Sequence, residues 1–350
     1  VKVGLVGLPN AGKSSLFNLL TAGHARVDLF PFTTVEKNVG VTLVPDERLA
    51  AIGRVLKPEK LTPAHVEFVD IAGLVKGASR GEGLGNRFLG NIRDTDLVLH
   101  VVRNFEAGDV PHVLDTVDPD RDAEVVEAEL AVADLGIVEK RLEHVRKEPR
   151  TTDNAPLLAA LEKLHAALAA GAPMPELHAD ERHEVRDLGL ISLRPVIYCV
   201  NCSDTEAADP ARFPRLAART NLLFSAALEA GMADFSPAEQ AELRTSLGLN
   251  PAGPAGIVEQ CFAALDLIRF YTVKGSESRA WAAPRGITAV EAAFLIHTDI
   301  GTGFIRAEVV NQRDLVAAGD FAAARDAGHV KVEGKGYTVQ DGDVLLIKFR

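Results

Sequence analysis

Residues Gly7-Leu8-Pro9-Asn10-Ala11-Gly12-Lys13-Ser14 fit the pattern G-x-x-x-x-G-K-[ST] without a mismatch. The flanks decide what the pattern means. Val1–Val6 reads as a short buried strand, and Lys13–Thr21 has the apolar spacing of a helix. A strand, a glycine-bearing loop and a helix in that order form a phosphate cradle. Gly7 and Gly12 let the backbone turn tightly enough for successive N–H groups to face phosphate oxygens, and the helix N-terminus adds its positive end. Lys13 is placed to reach the β- and γ-phosphates, and the Ser14 hydroxyl to ligate Mg²⁺. The candidate nucleotide-binding residues of this stretch are Asn10, Ala11, Gly12, Lys13, Ser14 and Ser15.

Outward from the loop, strands and helices alternate. Val39–Val44, Val66–Ile71 and Leu97–Val102 read as strands, and residues 195–201 and 222–226 as two more of the same sheet. This alternation predicts an α/β P-loop G-domain with a mainly parallel sheet. From Asp122 to Leu188 the character changes. Glu124–Lys147 and Leu157–Leu168 carry apolar residues at helical spacing on either side of the breaker Pro149–Pro156, which predicts an inserted α-helical hairpin. After the Gly/Pro-rich Leu249–Gly256, Ile257–Leu267 reads as a connecting helix. Short strands at Ile268–Val273, Gly303–Val310, Val330–Glu333 and Val344–Phe349, with helical Ala289–His297 among them, predict a small α+β domain. The expected domains are 1–121 with 191–256, the insertion 122–190, the connector 257–268 and the C-terminal domain 269–350.

Asp70-Ile71-Ala72-Gly73 closes the Val66–Ile71 strand. An Asp at a strand end facing a P-loop holds a Mg²⁺-bound water, and Gly73 can offer its N–H to a γ-phosphate. Between the two motifs, Pro31-Phe32-Thr33-Thr34 supplies a switch threonine, Thr34 rather than Thr33, as the second protein ligand to Mg²⁺. The candidate metal ligands are therefore Ser14, Thr34 and Asp70. Lys13, Thr34 and Gly73 are candidates for acting on the γ-phosphate.

Composition narrows the function classes. Hydrophobic residues at 47% and charged residues at 25% are a globular mix. No apolar run approaches the ~18 residues of a membrane span, and Val1–Val6 is followed at once by glycines and Asn10, unlike a secretory leader. A soluble cytoplasmic monomer without a membrane partner is expected. The net charge of −11 argues against a surface that coats nucleic acid throughout. Cys199 and Cys202 form a C-x-x-C, but Cys261 is the one other thiol, so zinc lacks a second pair. The pair also runs off an apolar strand rather than opening a helix, which disfavours redox chemistry.

GLPNAGKSS, FPFTT, DIAGLVKGASRGEGLGNRFL, IHTDIGTGFIRAEV and the ending VQDGDVLLIKF resemble the Obg-like ATPase family, YchF subfamily, over essentially the whole chain and in the family's order. The resemblance implies an ATPase with a helical insertion and a C-terminal ubiquitin-like β-grasp (TGS) domain, associated with the ribosome or its RNA. Guanine-specific relatives of this fold carry N-K-x-D; here the strand end reads Asn201-Cys202-Ser203-Asp204. Cys removes the lysine stem that stacks on guanine, and the family resemblance places the Cys202 backbone against adenine. Asp204 stands where the family usually has Glu, and taken alone it favours GTP. Asn201, Cys202 and Asp204 are the candidate base-reading residues, with ATP the expected nucleotide and GTP the alternative.

Leu74 occupies the place of the glutamine that orients water in Ras-like enzymes, and leucine neither donates nor accepts, so slow intrinsic hydrolysis is expected. Asn10 resembles an asparagine that helps hold K⁺ beside the phosphates in related enzymes; the plainer reading is a turn Asn capping its own loop. Asn104–Asp118, with Gly108, Pro111 and four acidic residues, reads as a mobile loop. Its His112 resembles the histidine implicated in hydrolysis in this family, the alternative being an ordinary surface residue. A second class of function is a nucleotide-dependent RNA- or ribosome-binding switch in which hydrolysis is a timer. Residues 270–350 balance at ten basic and ten acidic side chains, whereas Lys140, Arg141, Arg146, Lys147 and Arg150 gather near the tip of the hairpin. A solvated helix end would also favour cations there.

Overall fold

The computed structural model describes residues 1–21, 39–71, 84–108, 110–149, 154–219 and 221–350. The strands are β1 Lys2–Val6, β2 Val39–Leu43, β3 Lys60–Thr62, β4 His65–Asp70, β5 Leu97–Asn104, β6 Val196–Cys202, β7 Asn221–Phe224, β8 Leu267–Lys274, β9 Glu277–Pro284, β10 Phe304–Asn311, β11 Lys331–Glu333 and β12 Asp343–Phe349. The helices of the first two hundred residues are α1 Lys13–Thr21, α2 Glu47–Leu56, α3 Leu84–Arg93, α4 Pro119–Lys147, α5 Ala155–Ala170 and α6 Ala179–Val185. They are followed by α7 Pro214–Ala217, α8 Ala226–Gly231, α9 Pro237–Ser246, α10 Gly253–Ala264, α11 Ala289–Ile296, α12 Thr298–Thr302, α13 Gln312–Ala318 and α14 Phe321–Asp326.

Two compact units divide the chain: Lys2–Gly40 with Glu67–Ile257, and Val41–Val66 with Val258–Arg350. The first sheet runs β2-β4-β1-β5-β6-β7, with β4, β1, β5, β6 and β7 paired in parallel. Every residue of β5 is buried, as expected for a central parallel strand covered on both faces. In open parallel sheets ligands bind beyond the carboxyl ends of the strands. The loop after β1, Asp70 closing β4, Asn104 closing β5 and Cys202 closing β6 all lie at that edge.

The helical hairpin begins earlier than its periodicity suggested. Asp118 caps α4 by accepting from the Arg121 N–H, and Pro119 takes the first helical position, so the helix starts at Pro119 and not at Glu124. Asp122 thereby falls in its first turn. Val138, Leu142, Val145, Leu157, Leu161 and Leu164 form one buried cluster between α4 and α5; a fully buried Leu or Val contributes about 1.5–3 kcal/mol. At the root of the hairpin Asp134, fully buried, accepts from the Ser192 N–H at 2.7 Å and pairs with Arg93, the last residue of α3, at 3.3 Å.

In the other unit the sheet runs β11-β10-β12-β8-β9-β3. The β8–β9 hairpin is antiparallel, and the last strand β12 lies parallel beside β8, the β-grasp arrangement. Ala289, Ala292 and Ala293 of α11 pack on Ile268 and Phe270, the helix opened by a reciprocal Thr288–Glu291 cap. Residues 41–66 depart from the expected boundaries. They cluster here because β3 adds to β9 in parallel and Arg48 grips Asp341 at 2.7 Å. The connecting helix is Gly253–Ala264 rather than Ile257–Leu267, since Leu267 already belongs to β8.

Candidate functional site

The loop after β1 departs from ordinary backbone at three residues. Gly7 and Gly12 have φ of 152° and 96°, and Asn10 has φ of 63°. A Cβ on Gly7 would strike the Val101 carbonyl, and one on Gly12 the side-chain amide of Asn201, so both need glycine for space as well as conformation. Asn tolerates the left-handed region better than most residues. The Asn10 amide donates to Pro111 O at 3.2 Å. That links two loops 101 residues apart, beyond a cap on its own turn.

Lys13 is buried, its amine donating to Gly7 O at 3.1 Å and Leu8 O at 2.8 Å. Burial lowers its pKa to about 8, against the opposing pull of Asp70. The ammonium therefore sits inside the loop that it closes. Ser14 Oγ donates to Asp70 Oδ2 at 2.9 Å, bringing together two oxygens from chain positions 14 and 70. Thr34, Thr33, Gly73, Leu74 and most of the glycine-rich stretch lie outside the described residues, as does Arg150.

Asn201 is buried and joins two segments. Its amide donates to Ala11 O at 3.1 Å, and its oxygen accepts from Ala226 N at 3.0 Å, tying the β1 loop to the start of α8. Beside it opens a cleft of about 540 Å³, lined by Gly12 and Ser15, by Asn18 and Leu19 of α1, by Phe105 and Glu106 after β5, by Asn201–Asp204, and by Ala226, Ala227 and Ala230 of α8. Asp204 is exposed, whereas Cys202 is only 3% exposed. Burial pushes the Cys202 thiol up to about 11. Cys199 and Cys202 stand three apart in one strand, so their side chains leave opposite faces of the sheet and do not form a pair. Phe105, Glu106 and α8 were not singled out from the sequence. Their signal is positional: each follows the carboxyl end of a parallel strand.

His112 is neither an ordinary surface residue nor on a free loop. Its side chain is 4% exposed, Nε2 lies 2.7 Å from Asp122 Oδ2, and Nδ1 accepts from the Leu114 N–H at 3.1 Å. Described residues of the expected mobile segment accept hydrogen bonds at four points. Arg103 donates to Phe105 O and Val110 O, Asn10 to Pro111 O, and Arg121 to Thr116 Oγ1. His100 lies buried inside β5, where desolvation, then Lys13 and Arg219, lower its pKa to about 3, so it stays neutral. Near the hairpin tip Arg146 pairs with Glu162 and Lys147 with Glu143, while Lys140 and Arg141 are in no ion pair among the described residues.

A family model described as "50S ribosome-binding GTPase" matches residues 2–152, and one for the C-terminal domain of YchF GTPases, described as a protein of unknown function, matches residues 267–350. The chain is 40% identical to the Ribosome-binding ATPase YchF of Bacillus subtilis, over 99% of this chain and 98% of that one. It is likewise 40% identical to the Ribosome-binding ATPase YchF of Escherichia coli O157:H7, over 99% of both. Among solved structures, the Schizosaccharomyces pombe YchF GTPase superposes with a TM-score of 0.83 at 31% identity, over 99% of this chain and 97% of that one. With full-length identity at this level, a matching C-terminal domain and a shared fold, the chain belongs to the YchF family.

Proposed function

We propose that this chain is a Mg²⁺-dependent P-loop ATPase that works as a slow, ribosome-associated switch in the cytoplasm, as a monomer. The observation that carries the reading is the joined phosphate site: Lys13 inside its loop, Ser14 Oγ 2.9 Å from Asp70, and Asn201 fastening the loop to α8. The paired oxygens of Ser14 and Asp70 suit a hard cation that keeps several waters, with Thr34 as the further ligand. Ser14, Thr34 and Asp70 would hold such an ion, which would supply positive charge to the transferred phosphate. Lys13 supplies positive charge to the same oxygens, and Gly73 an N–H. The amide oxygen of Asn10 is the atom available to a K⁺ ion.

ATP is favoured by the names of the curated relatives and by Cys202, whose short buried side chain offers no stem for guanine stacking. One observation favours the second reading, a GTP-preferring translational switch: Asp204 is exposed and lines the cleft, where a carboxylate can accept from guanine N1 and N2. Competition of ATP against GTP for the purified protein, with and without ribosomes, decides between them. Tighter GTP binding in both conditions overturns the ATP assignment.

His112 is the group assigned to the attacking water or the departing charge, because Leu74 cannot serve. His112→Ala is expected to slow single-turnover hydrolysis with ATP affinity unchanged, the mark of an interaction made in the transition state. Equal single-turnover rates in variant and wild type, with ribosomes present, leave hydrolysis to the phosphate loop, Mg²⁺ and K⁺.

A further inference from the structure

We infer that Asp122 is a latch that holds His112 in a resting position, so that breaking the His112–Asp122 bond precedes His112-dependent hydrolysis. The inference rests on the assignment of His112 proposed above. A backbone N–H can only donate, so the Leu114 N–H at 3.1 Å makes Nδ1 an acceptor and leaves the ring hydrogen on Nε2. That hydrogen points at Asp122 Oδ2, 2.7 Å away, between side chains each 4% exposed. Asp122 is fixed in turn, its other oxygen accepting from Arg121 at 2.8 Å. Both ring nitrogens are thus occupied, and the imidazole and Asp122 line one small cavity with Leu8, Pro9 and Ala11 of the phosphate loop. No ring nitrogen is open to a water beside the phosphates.

The two contacts differ in what motion does to them. The bond to Leu114 lies two residues along the same loop and travels with it. The bond to Asp122 crosses to the first turn of α4 and breaks when the loop moves. A histidine released this way keeps the Nε2 hydrogen as long as Nδ1 stays on Leu114, and it meets the nucleotide site as a donor. The adjacent Asn10–Pro111 bond, 3.2 Å, ties the same loop to the phosphate loop. Asp122 is accordingly a positioning residue. Its carboxylate bonds His112 and Arg121, and it does not line the cleft beside Asn201.

The test is single-turnover ATP hydrolysis by the full chain without ribosomes, in wild type, Asp122→Asn, His112→Ala and the double variant. Asn keeps the shape but turns a charge-assisted bond into a neutral one, so Asp122→Asn should hydrolyse about fivefold faster than wild type. ATP affinity should not change, and the double variant should match His112→Ala. An Asp122→Asn rate at or below wild type overturns the latch, as does a double variant that stays fast. If His112→Ala is as fast as wild type with ribosomes present, the assignment of His112 fails instead, and the two failures are told apart by which single variant misbehaves. Imidazole ¹⁵N spectra of the wild type, with His112 assigned by its loss in His112→Ala, give a readout that needs no Asp122 variant to fold. The expected form carries hydrogen on Nε2, and hydrogen on Nδ1 overturns the geometry.

Discussion

The proposed phosphate end and the proposed base end of the cleft are built on opposite plans. At the phosphate end eight consecutive residues supply the backbone turn, the cation and the hydroxyl, with Asp70, Pro111 and Asn201 as described partners from afar. At the base end the walls come from four segments, α1, Phe105–Glu106, Asn201–Asp204 and α8, the last contributing three alanines. A local, backbone-made site tolerates little change. A wall assembled from distant side chains can be retuned one residue at a time, and here it has a Cys where guanine readers carry Lys. Asn201 joins the two ends, with one hydrogen bond to each.

The largest expected effect comes from breaking the phosphate end. Lys13→Met keeps the aliphatic stem and removes the ammonium, and hydrolysis should fall at least about hundredfold, the scale seen when one donor to developing charge is removed. Ser14→Ala should do the same through the metal. Thermal midpoints within about 4 °C of wild type would show that the loss is not unfolding, since that shift corresponds to ~1 kcal/mol in a domain of this size. Unchanged turnover in either variant refutes the assignment.

Lys13 also gives the proposed phosphate end a pH dependence. Its pKa in the nucleotide-free protein is lowered to about 8 by burial. Bound phosphates favour the charged form and raise that value again. Below pH 8 the amine is charged in both states and contributes no slope. Above pH 8 binding takes up a proton, so ATP affinity should fall as pH rises, by up to about tenfold per unit. Calorimetry in buffers of different ionisation heat should show proton uptake at pH 9 and none at pH 7. Lys13→Met should abolish the difference.

Asp204→Ala sharpens the contrast at the other end. If the exposed carboxylate reads guanine, its loss should weaken GTP about tenfold, the scale of one hydrogen bond to a charged group. ATP binding should stay within about twofold. A parallel loss of both nucleotides would mean that Asp204 shapes the loop rather than reading the base. Asp204→Ala is preferred here to Cys202→Lys, because residue 202 is buried and a lysine there would disturb the core around Val200 and Phe213.

What could be read from the sequence follows the same division. The phosphate loop, its strand and its helix were legible because their constraints are local: glycines at positive φ, a Lys, a Ser, and apolar runs on both sides. The parallel sheet and the hairpin were legible from periodicity. The tie of Asn201 to Ala11 and Ala226, the turn of Lys13 onto Gly7 and Leu8, and the hold of Asp122 on His112 were not, because each depends on side chains meeting across the fold. The start of α4 was missed although its signal, Asp118-Pro119 before a helical pattern, is a local one. The strand β9, with the sequence ESRAWAAP, was missed because alanines blur its alternation of buried and exposed positions.

The smallest expected effect lies outside the cleft, on the helical hairpin. Arg146 and Lys147 are paired with Glu162 and Glu143, so their charge is already partly answered within the protein. Lys140 and Arg141 lie on the same stretch of α4 and are in no ion pair among the described residues, which leaves them the better candidates to meet phosphates. If the hairpin carries the ribosomal contact, replacing both with Glu should reduce the slope of log K against log salt by about 2, since each lost phosphate contact removes roughly one released counterion. At physiological salt the affinity should drop about threefold, because exposed pairs are worth little. Nucleotide hydrolysis without ribosomes should be unaffected, as neither residue approaches the cleft. Sedimentation with ribosomes across a salt series measures both quantities. An unaltered slope would move the contact off the hairpin, to the β-grasp unit, where the even balance of charge predicts recognition by shape and hydrogen bonding rather than by counterion release.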